Sequence, residues 1–385
     1  MSGPLRIGFV AGESSGDQLG AALITALRRA APELVCFGVA GPKMRAAGCE
    51  PWGHSDELAV MGLIEPLKHL PRLTRLRAML RRRFASSRAQ VFVGIDAPAF
   101  NIGLAAQLRR TGLKTVQYVS PQVWAWRQGR VRKIARACDL VLCLLPFEAE
   151  FYSRHGVRAA FVGHPLADQI PLEVDRGAAR RALGIEPQAT VVALLPGSRM
   201  GEVQRLGADF LGAARWLASR RPGVQFVAPM AAASVRQVFE RELTAVGAPA
   251  VQLLEGRAHE ALAAADAVLV ASGTATLETL LSKRPMVVAY RFGAMTAFLL
   301  RRLGLVKVPY FSQPNLLVGR ALVPEFFQQQ VTAEALGAAL AAELDDPQRA
   351  AELTRIFTQV HLQLRCGGAE RATAAILQLA AGSRT

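Results

Sequence analysis

Along most of this chain, short uninterrupted apolar runs alternate with longer segments whose apolar residues recur at helical spacing. Such runs suit strands buried on both faces of a parallel sheet, and helices with one apolar stripe cover such a sheet. The alternation therefore predicts a doubly wound α/β architecture. A first series has predicted strands at Arg6–Val10, Gln90–Ile95, Thr115–Val119, Leu140–Leu144 and Ala160–Val162, and predicted helices at Gln18–Arg29 and Ile102–Arg110. After a polar connection marked by Pro165 and Pro171 the series restarts, with predicted strands at Thr190–Leu195, Gln225–Ala228, Val251–Leu254, Ala267–Ala271 and Met286–Ala289. A last helix is predicted at Gly368–Ala380. The expectation is two Rossmann-like domains, 1–168 and 169–359, with a cleft between them and 360–385 completing the first.

A length of 385 residues exceeds one ordinary core, and 51% hydrophobic content can fill two. No uncharged apolar run reaches the roughly 18 residues of a membrane-spanning helix. Met1–Val10 enters a strand almost at once, so no signal peptide is expected. Cys36, Cys49, Cys138, Cys143 and Cys366 are scattered, with no CxxC pair. Reduced thiols in a cytoplasmic protein without structural zinc are the simplest reading. The net charge of +16 changes the picture more. It favours nucleic acid, an anionic membrane or acidic small molecules as partners.

The candidate chemistry lies in loops that follow strands. Val268–Ala271 runs into Ser272-Gly273-Thr274, where a helix opens and aims backbone N–H groups at an anion. Glu278 falls about one turn further along, within reach of a sugar hydroxyl beside a bound phosphate. A nucleotide diphosphate carrying a ribose suits this set, although an ordinary βα turn reads the same way. Gly197, Ser198 and Arg199 repeat the logic at the head of the second series, with Arg199 as diphosphate clamp or as a plain surface arginine.

The first loop, Ala11–Asp17, is neither GxGxxG nor GxxxxGK[ST], which weighs against dinucleotide and Walker-type sites. Glu13 and Asp17, with Ser15 and Gly16, favour hydroxyl recognition over phosphate; a simple N-cap cluster is the alternative. Asp96 stands at a strand's C-terminal end, where ligands bind in open α/β sheets. It can serve as a general base if partly desolvated, or only bond its own backbone before Pro98. Ser120, Trp124, Trp126 and Arg127 form an aromatic and polar cluster that suits a sugar ring, or a packed corner. His164 can bond a phosphate or hydroxyl, or mark a hinge. No histidine spacing or DxD-type pair points to a metal. A metal-independent reaction is expected, with Arg199 and helix N-termini offsetting phosphate charge.

Leu63–Phe84 is apolar and basic at once. Leu73, Leu76, Leu80 and Phe84 share one helical face, surrounded by Arg72, Arg75, Arg77, Arg81, Arg82 and Arg83. A helix lying on an anionic membrane has this make-up, and so does a core helix with a solvated basic back. Ala294–Val306, with Phe298 and Leu299 beside Arg301 and Arg302, is a second such piece.

Taken in order, Ala11–Asp17, Gly94–Asn101, Tyr118–Arg127, Leu144–Glu148, Gly163–Asp168, Leu195–Arg199, Ala271–Glu278 and Pro314-Asn315-Leu316-Leu317 resemble the motifs of the lipid-A-disaccharide synthases. The resemblance implies an inverting glycosyltransferase of the two-Rossmann GT-B type. Such an enzyme moves 2,3-diacylglucosamine from UDP-2,3-diacylglucosamine onto 2,3-diacylglucosamine 1-phosphate (lipid X). The products are a β-1,6-linked disaccharide 1-phosphate and UDP, and no cofactor takes part. The resemblance also implies a peripheral protein on the cytoplasmic face of the inner membrane in a Gram-negative cell and a place for Asn315 in the UDP site. It allows a homodimer that exchanges C-terminal segments. In one departure, the family's Asp-Ala-Pro-Asp reads Asp96-Ala97-Pro98-Ala99 here, so Asp96 carries the base assignment, with Glu13 and Asp17 as the next catalytic candidates.

Two competing readings remain. A UDP-sugar 2-epimerase shares the fold and nucleotide site but has no use for apolar basic helices. A nucleic-acid-binding module would use the charge, yet Arg72–Arg83 is interleaved with Leu rather than with the Tyr and Trp that stack on bases.

Overall fold

The computed structural model describes residues 3–55, 58, 66–124, 128–293 and 309–382. Seven parallel strands, β1 (Arg6–Ala11), β2 (Val35–Ala40), β3 (Glu50–His54), β4 (Val91–Ile95), β5 (Lys114–Tyr118), β6 (Leu140–Cys143) and β7 (Ala159–Phe161), form one sheet in the order β3-β2-β1-β4-β5-β6-β7. Six more, β8 (Val191–Leu195), β9 (Gln225–Met230), β10 (Val251–Glu255), β11 (Ala267–Ala271), β12 (Met286–Tyr290) and β13 (Glu325–Phe327), form a second in the order β10-β9-β8-β11-β12-β13. The chain divides into two compact units, Met1–Asp168 with Leu364–Thr385, and Gln169–Gln363.

The apolar runs become central strands because helices cover both faces of each sheet. Every residue of β4, β8 and β11 is buried. The strands absent from the sequence reading are β2, β3 and β13. Edge strand β3, Glu-Pro-Trp-Gly-His, is half-exposed or exposed throughout, and β13 has three residues, so neither presents an apolar run. In β2, Gly38 holds φ +143°, and a Cβ there would lie 1.8 Å from the carbonyl oxygen of Phe9 on the paired strand.

The final helix, Gly368–Ala381, buries Ala372, Ile376 and Leu379 in the first unit's core with Ile7, Phe9 and Val116. Its start is held by Asp168, whose carboxylate accepts from the N–H groups of Gly367 and Gly368 at 3.1 and 2.9 Å.

The helix Pro66–Ser86 corrects the membrane expectation. Leu76, Leu80 and Phe84 are 7%, 0% and 2% exposed, and Leu73 is half-buried. The Phe84 ring packs against Trp52 at 5.1 Å and Phe92 at 5.5 Å and fills the space left by Gly8. This apolar stripe faces the sheet, not a bilayer. Arg77 turns inward over the ring of Phe100 at 4.9 Å, and Arg83 covers Trp52 at 4.3 Å. Arg72, Arg75, Arg81 and Arg82 remain exposed. The second piece, with Phe298 and Leu299, lies outside the described residues. Among the described residues, no helix is long and apolar enough to cross a membrane.

Candidate active site

In each sheet the strand order reverses beside its first strand, between β1 and β4 and between β8 and β11. Ligands of open α/β sheets bind at the strand C-termini of such a reversal. The loops singled out in the sequence leave the sheets at these two places.

In the first unit, β4 ends in Asp96 and Ala97 with φ of 52° and 40°, and the helix Pro98–Arg109 follows. Left-handed backbone at two successive non-glycine residues stores strain, which concentrates at functional sites. Asp96 lines a cavity of about 330 Å³ with Pro98, Val119, Ser120, Pro121, Gln122, Val123 and Arg130. Burial pushes the Asp96 carboxyl above the usual range, opposed by hydrogen bonds from the Ala97 backbone and the Ser15 hydroxyl. The structure thus brings Ser15, Asp96 and Ser120 together. It adds Arg130, an exposed guanidinium in a short 3₁₀ turn that no motif marked.

Other expected members of this cluster have different work. Asp17 is buried, and its carboxylate accepts from the N–H groups of Lys43 and Met44, both at 2.9 Å. It caps the short helix Pro42–Ala46 and is not available as a base, which corrects its catalytic assignment. Glu13 opens the helix Glu13–Ala30, and Gly16 is buried against Ala11 and Ile95. Trp124 is a buried wall rather than an open sugar platform. Its indole packs edge-on to Phe147 at 4.8 Å and donates to Glu148 Oε1 at 3.0 Å. Trp126 and Arg127 lie outside the described residues. The Nδ1 of His164 accepts from Leu166 N–H at 3.2 Å. Burial pushes its pKa down to about 4, although Asp168 pulls it up. The ring is therefore neutral near pH 7, suited to a hydroxyl rather than to pairing as a cation with phosphate.

Glu148 has no role in the sequence reading beyond its place in a motif, yet it is a buried carboxyl that also accepts from Leu145 N–H at 3.1 Å. Burial raises its pKa from 4.5 to about 7, against hydrogen bonds from Leu145, Trp124, Ser120 and Leu144. A carboxyl whose pKa is raised on folding contributes stability that is fully present below its unfolded pKa. That contribution is lost as pH rises through the folded pKa. Glu148→Gln should therefore flatten the decline of unfolding free energy between about pH 4.5 and 7, an effect of at most about 3 kcal/mol. Urea titrations across that range check this, and an unchanged slope in the variant would refute it.

In the second unit, the ends of β8 and β11 are adjacent, with Leu195 beside Val270. Gly273 holds φ 143° and ψ −159°, a conformation reserved for glycine, and it and Thr274 are exposed at the start of the helix Thr274–Leu281. Ser272 Oγ donates to the carbonyl of Phe311 at 2.8 Å. Glu278 is half-buried, so desolvation raises its pKa, opposed by nearby His259. Arg199 is 77% exposed at its side chain and pairs with Glu202 at 3.2 Å. Glu202 Oε2 also accepts from the N–H groups of Ser198 and Arg199, at 3.1 and 3.3 Å, beside Gly197 with φ +126°. The guanidinium is available to an anion, whereas these two N–H groups already serve a carboxylate.

Asn315 is corrected. It is 1% exposed, and its amide donates to Val323 O and Glu325 Oε1 while accepting from Leu322 and Val323 N–H at 2.7 and 2.8 Å. A saturated, buried amide shapes the loop around it and has no side-chain hydrogen bond left to offer a ligand in this arrangement.

Comparison with known proteins agrees with this layout. The family description Lipid-A-disaccharide synthetase matches residues 7–377. Lipid-A-disaccharide synthase of Pseudomonas aeruginosa is 52% identical over 379 residues, covering 98% of this chain and 99% of that protein. The enzyme of that name from Sodalis glossinidius is 53% identical over 378 residues, with 98% of each covered. Among solved structures, Anabaena HepE in complex with UDP and glucose superposes with a TM-score of 0.58 at 15% identity, covering 97% of this chain and 99% of that one. The UDP-GlcNAc 2-epimerase of Neisseria meningitidis bound to UDP-GlcNAc gives 0.65 at 12% identity, with 97% and 99% covered. At such identities the likeness is one of fold, so the epimerase alternative is not favoured. The chain belongs to the lipid-A-disaccharide synthase family, glycosyltransferases of GT-B fold in lipid A biosynthesis.

Proposed function

We propose that the chain moves 2,3-diacylglucosamine from its UDP conjugate to the 6-hydroxyl of 2,3-diacylglucosamine 1-phosphate, with Asp96 as general base. The observation that carries this is the Asp96 carboxyl, raised by burial, in a cavity at the strand reversal of the first unit. Asp96 takes the hydroxyl proton as the oxygen attacks the donor's anomeric carbon. The bond from that carbon to the diphosphate breaks, UDP leaves, and the configuration inverts. Arg130 on the same cavity suits the acceptor's 1-phosphate, and neutral His164 suits a sugar hydroxyl. About 330 Å³ holds a sugar headgroup but leaves no room for two acyl chains, which then lie outside the cavity.

In this reading, Arg199 and the Ser272-Gly273-Thr274 loop hold the diphosphate and Glu278 accepts from the ribose. The solved relatives crystallised with UDP or UDP-GlcNAc support a UDP site on this fold. No divalent ion is needed when a guanidinium and helix N–H groups offset the charge. The protein sits peripherally on the inner face of the inner membrane, meeting anionic lipid through exposed Arg72, Arg75, Arg81 and Arg82. A homodimer exchanging C-terminal segments would make the Asp168 cap on Gly367 and Gly368 between subunits.

Purified protein given UDP-diacylglucosamine and lipid X is expected to release UDP and a disaccharide 1-phosphate, in EDTA as well as in magnesium. Arg199→Ala should weaken UDP binding by about 1.5–3 kcal/mol in calorimetry, the scale of a charge-assisted hydrogen bond. Activity abolished by EDTA and restored by magnesium would overturn the metal-free part. No UDP release with this substrate pair would overturn the whole reading.

A further inference from the structure

Three non-glycine residues around the first cavity hold left-handed backbone: Asp96 at φ 52°, Ala97 at 40° and Val119 at 73°. A β-branched residue such as Val119 avoids this region more strongly than most. Asp96 and Val119 both line the cavity. Strand ends kinked in this way point their carbonyls out of the regular ladder, and buried carbonyls need donors.

Two buried side-chain amides provide them. Gln117, in β5, is 1% exposed, and its Nε2 donates to the carbonyls of Asp96 at 3.1 Å, Tyr118 at 3.3 Å and Val119 at 3.2 Å. Asn101 is fully buried, and its Nδ2 donates to the carbonyls of Asp96 at 2.9 Å, Val10 at 3.2 Å and Ile95 at 3.3 Å. The Oδ1 of Asn101 has no partner among the described residues, so this amide serves as a donor. The Asp96 carbonyl is thus held by donors from β5 and from the helix Pro98–Arg109, while Asp96 N–H donates to Tyr118 O at 2.9 Å.

We propose that Gln117, with Asn101, is a positioning residue for the transfer. It clamps the left-handed ends of β4 and β5 and so fixes where the Asp96 carboxyl lies and how far it is shielded from water. The proposal rests on the reading of Asp96 as general base. A clamp of this kind acts on kcat and on the base's titration, whereas a purely structural amide would act on stability alone.

The test uses full-length Gln117→Met, which keeps side-chain length and removes the donor, beside Asp96→Asn. We expect kcat of Gln117→Met to fall about 10²-fold, the usual cost of a catalytic group displaced by about 1 Å, with UDP affinity unchanged. The acid limb of its kcat–pH profile should move to lower pH, as a carboxyl raised by burial regains water. Adding Val119→Gly, which takes φ near 73° without strain, should recover much of the loss. This double variant also serves if Gln117→Met alone folds poorly. Lower melting temperature with wild-type kcat and an unmoved acid limb in Gln117→Met, or a double variant no more active than Gln117→Met, would overturn the clamp. Full activity in Asp96→Asn would instead overturn the base assignment, whatever Gln117 does.

Discussion

Replacing Asp96 by Asn is expected to lower kcat by about 10²–10⁴, the range for a lost general base, while UDP binding stays at its wild-type value. The substitution keeps size and shape, so it leaves the kinked end of β4 in place and removes only the proton acceptor. Because burial raises the Asp96 carboxyl, kcat/KM should fall on the acid side at a pH above that of an ordinary carboxylate. The sign follows from the role: a base works deprotonated, so activity is lost as pH falls through the raised pKa. Stopped assays of UDP release across pH, with calorimetric UDP titration of the variant, check both parts. A nearly active Asn variant would move the role to Glu13, since Asp17 is committed to the N–H groups of Lys43 and Met44.

The second large effect is on stability. Leu80→Ser in the helix Pro66–Ser86 is expected to cost about 2–5 kcal/mol, as a large-to-small change at a fully buried site. That corresponds to a melting temperature lower by about 4–20 °C for a unit of this size. Arg81→Ser with Arg82→Ser should do the reverse. Both side chains are exposed, so melting changes little, while binding to anionic vesicles weakens by about 1 kcal/mol per arginine. Thermal scans and vesicle co-sedimentation on the two proteins separate these roles. If Leu80→Ser melted normally and lost only vesicle binding, the apolar stripe would face lipid after all.

Pattern reading succeeds for some of these elements and stops at others. Strands such as β8 and β11 stand out because burial on both faces forces an unbroken apolar run, and the loops after them follow from chain order. The stripe of Leu76, Leu80 and Phe84 is ambiguous in principle, since a sheet and a bilayer select the same spacing and only the packed partners Trp52 and Phe92 tell them apart. Asp96 and Asp17 are both candidates for the base in sequence, with Asp96 first. They part because the N–H groups that Asp17 caps come from a helix more than twenty residues away. Asn315 is misread for a similar reason, as its partners lie across a loop closed only in the fold. The left-handed backbone at Ala97 and Val119, and the two amides that hold the ends of these strands, have no sequence signature, because neither residue is glycine, asparagine or aspartate.

The cap that Asp168 places on Gly367 and Gly368 spans 199 and 200 residues of sequence. On the ribosome, the seven strands of the first unit emerge well before the helix Gly368–Ala381 that supplies Ile376 and Leu379 to their core. At ordinary rates of synthesis that interval lasts about 10–40 s. During it the second unit is being made while the first still shows an uncovered apolar face. The nascent chain is therefore most exposed to aggregation late in its synthesis, in the half made first, and premature termination near residue 360 would leave a chain for chaperones and proteases to remove.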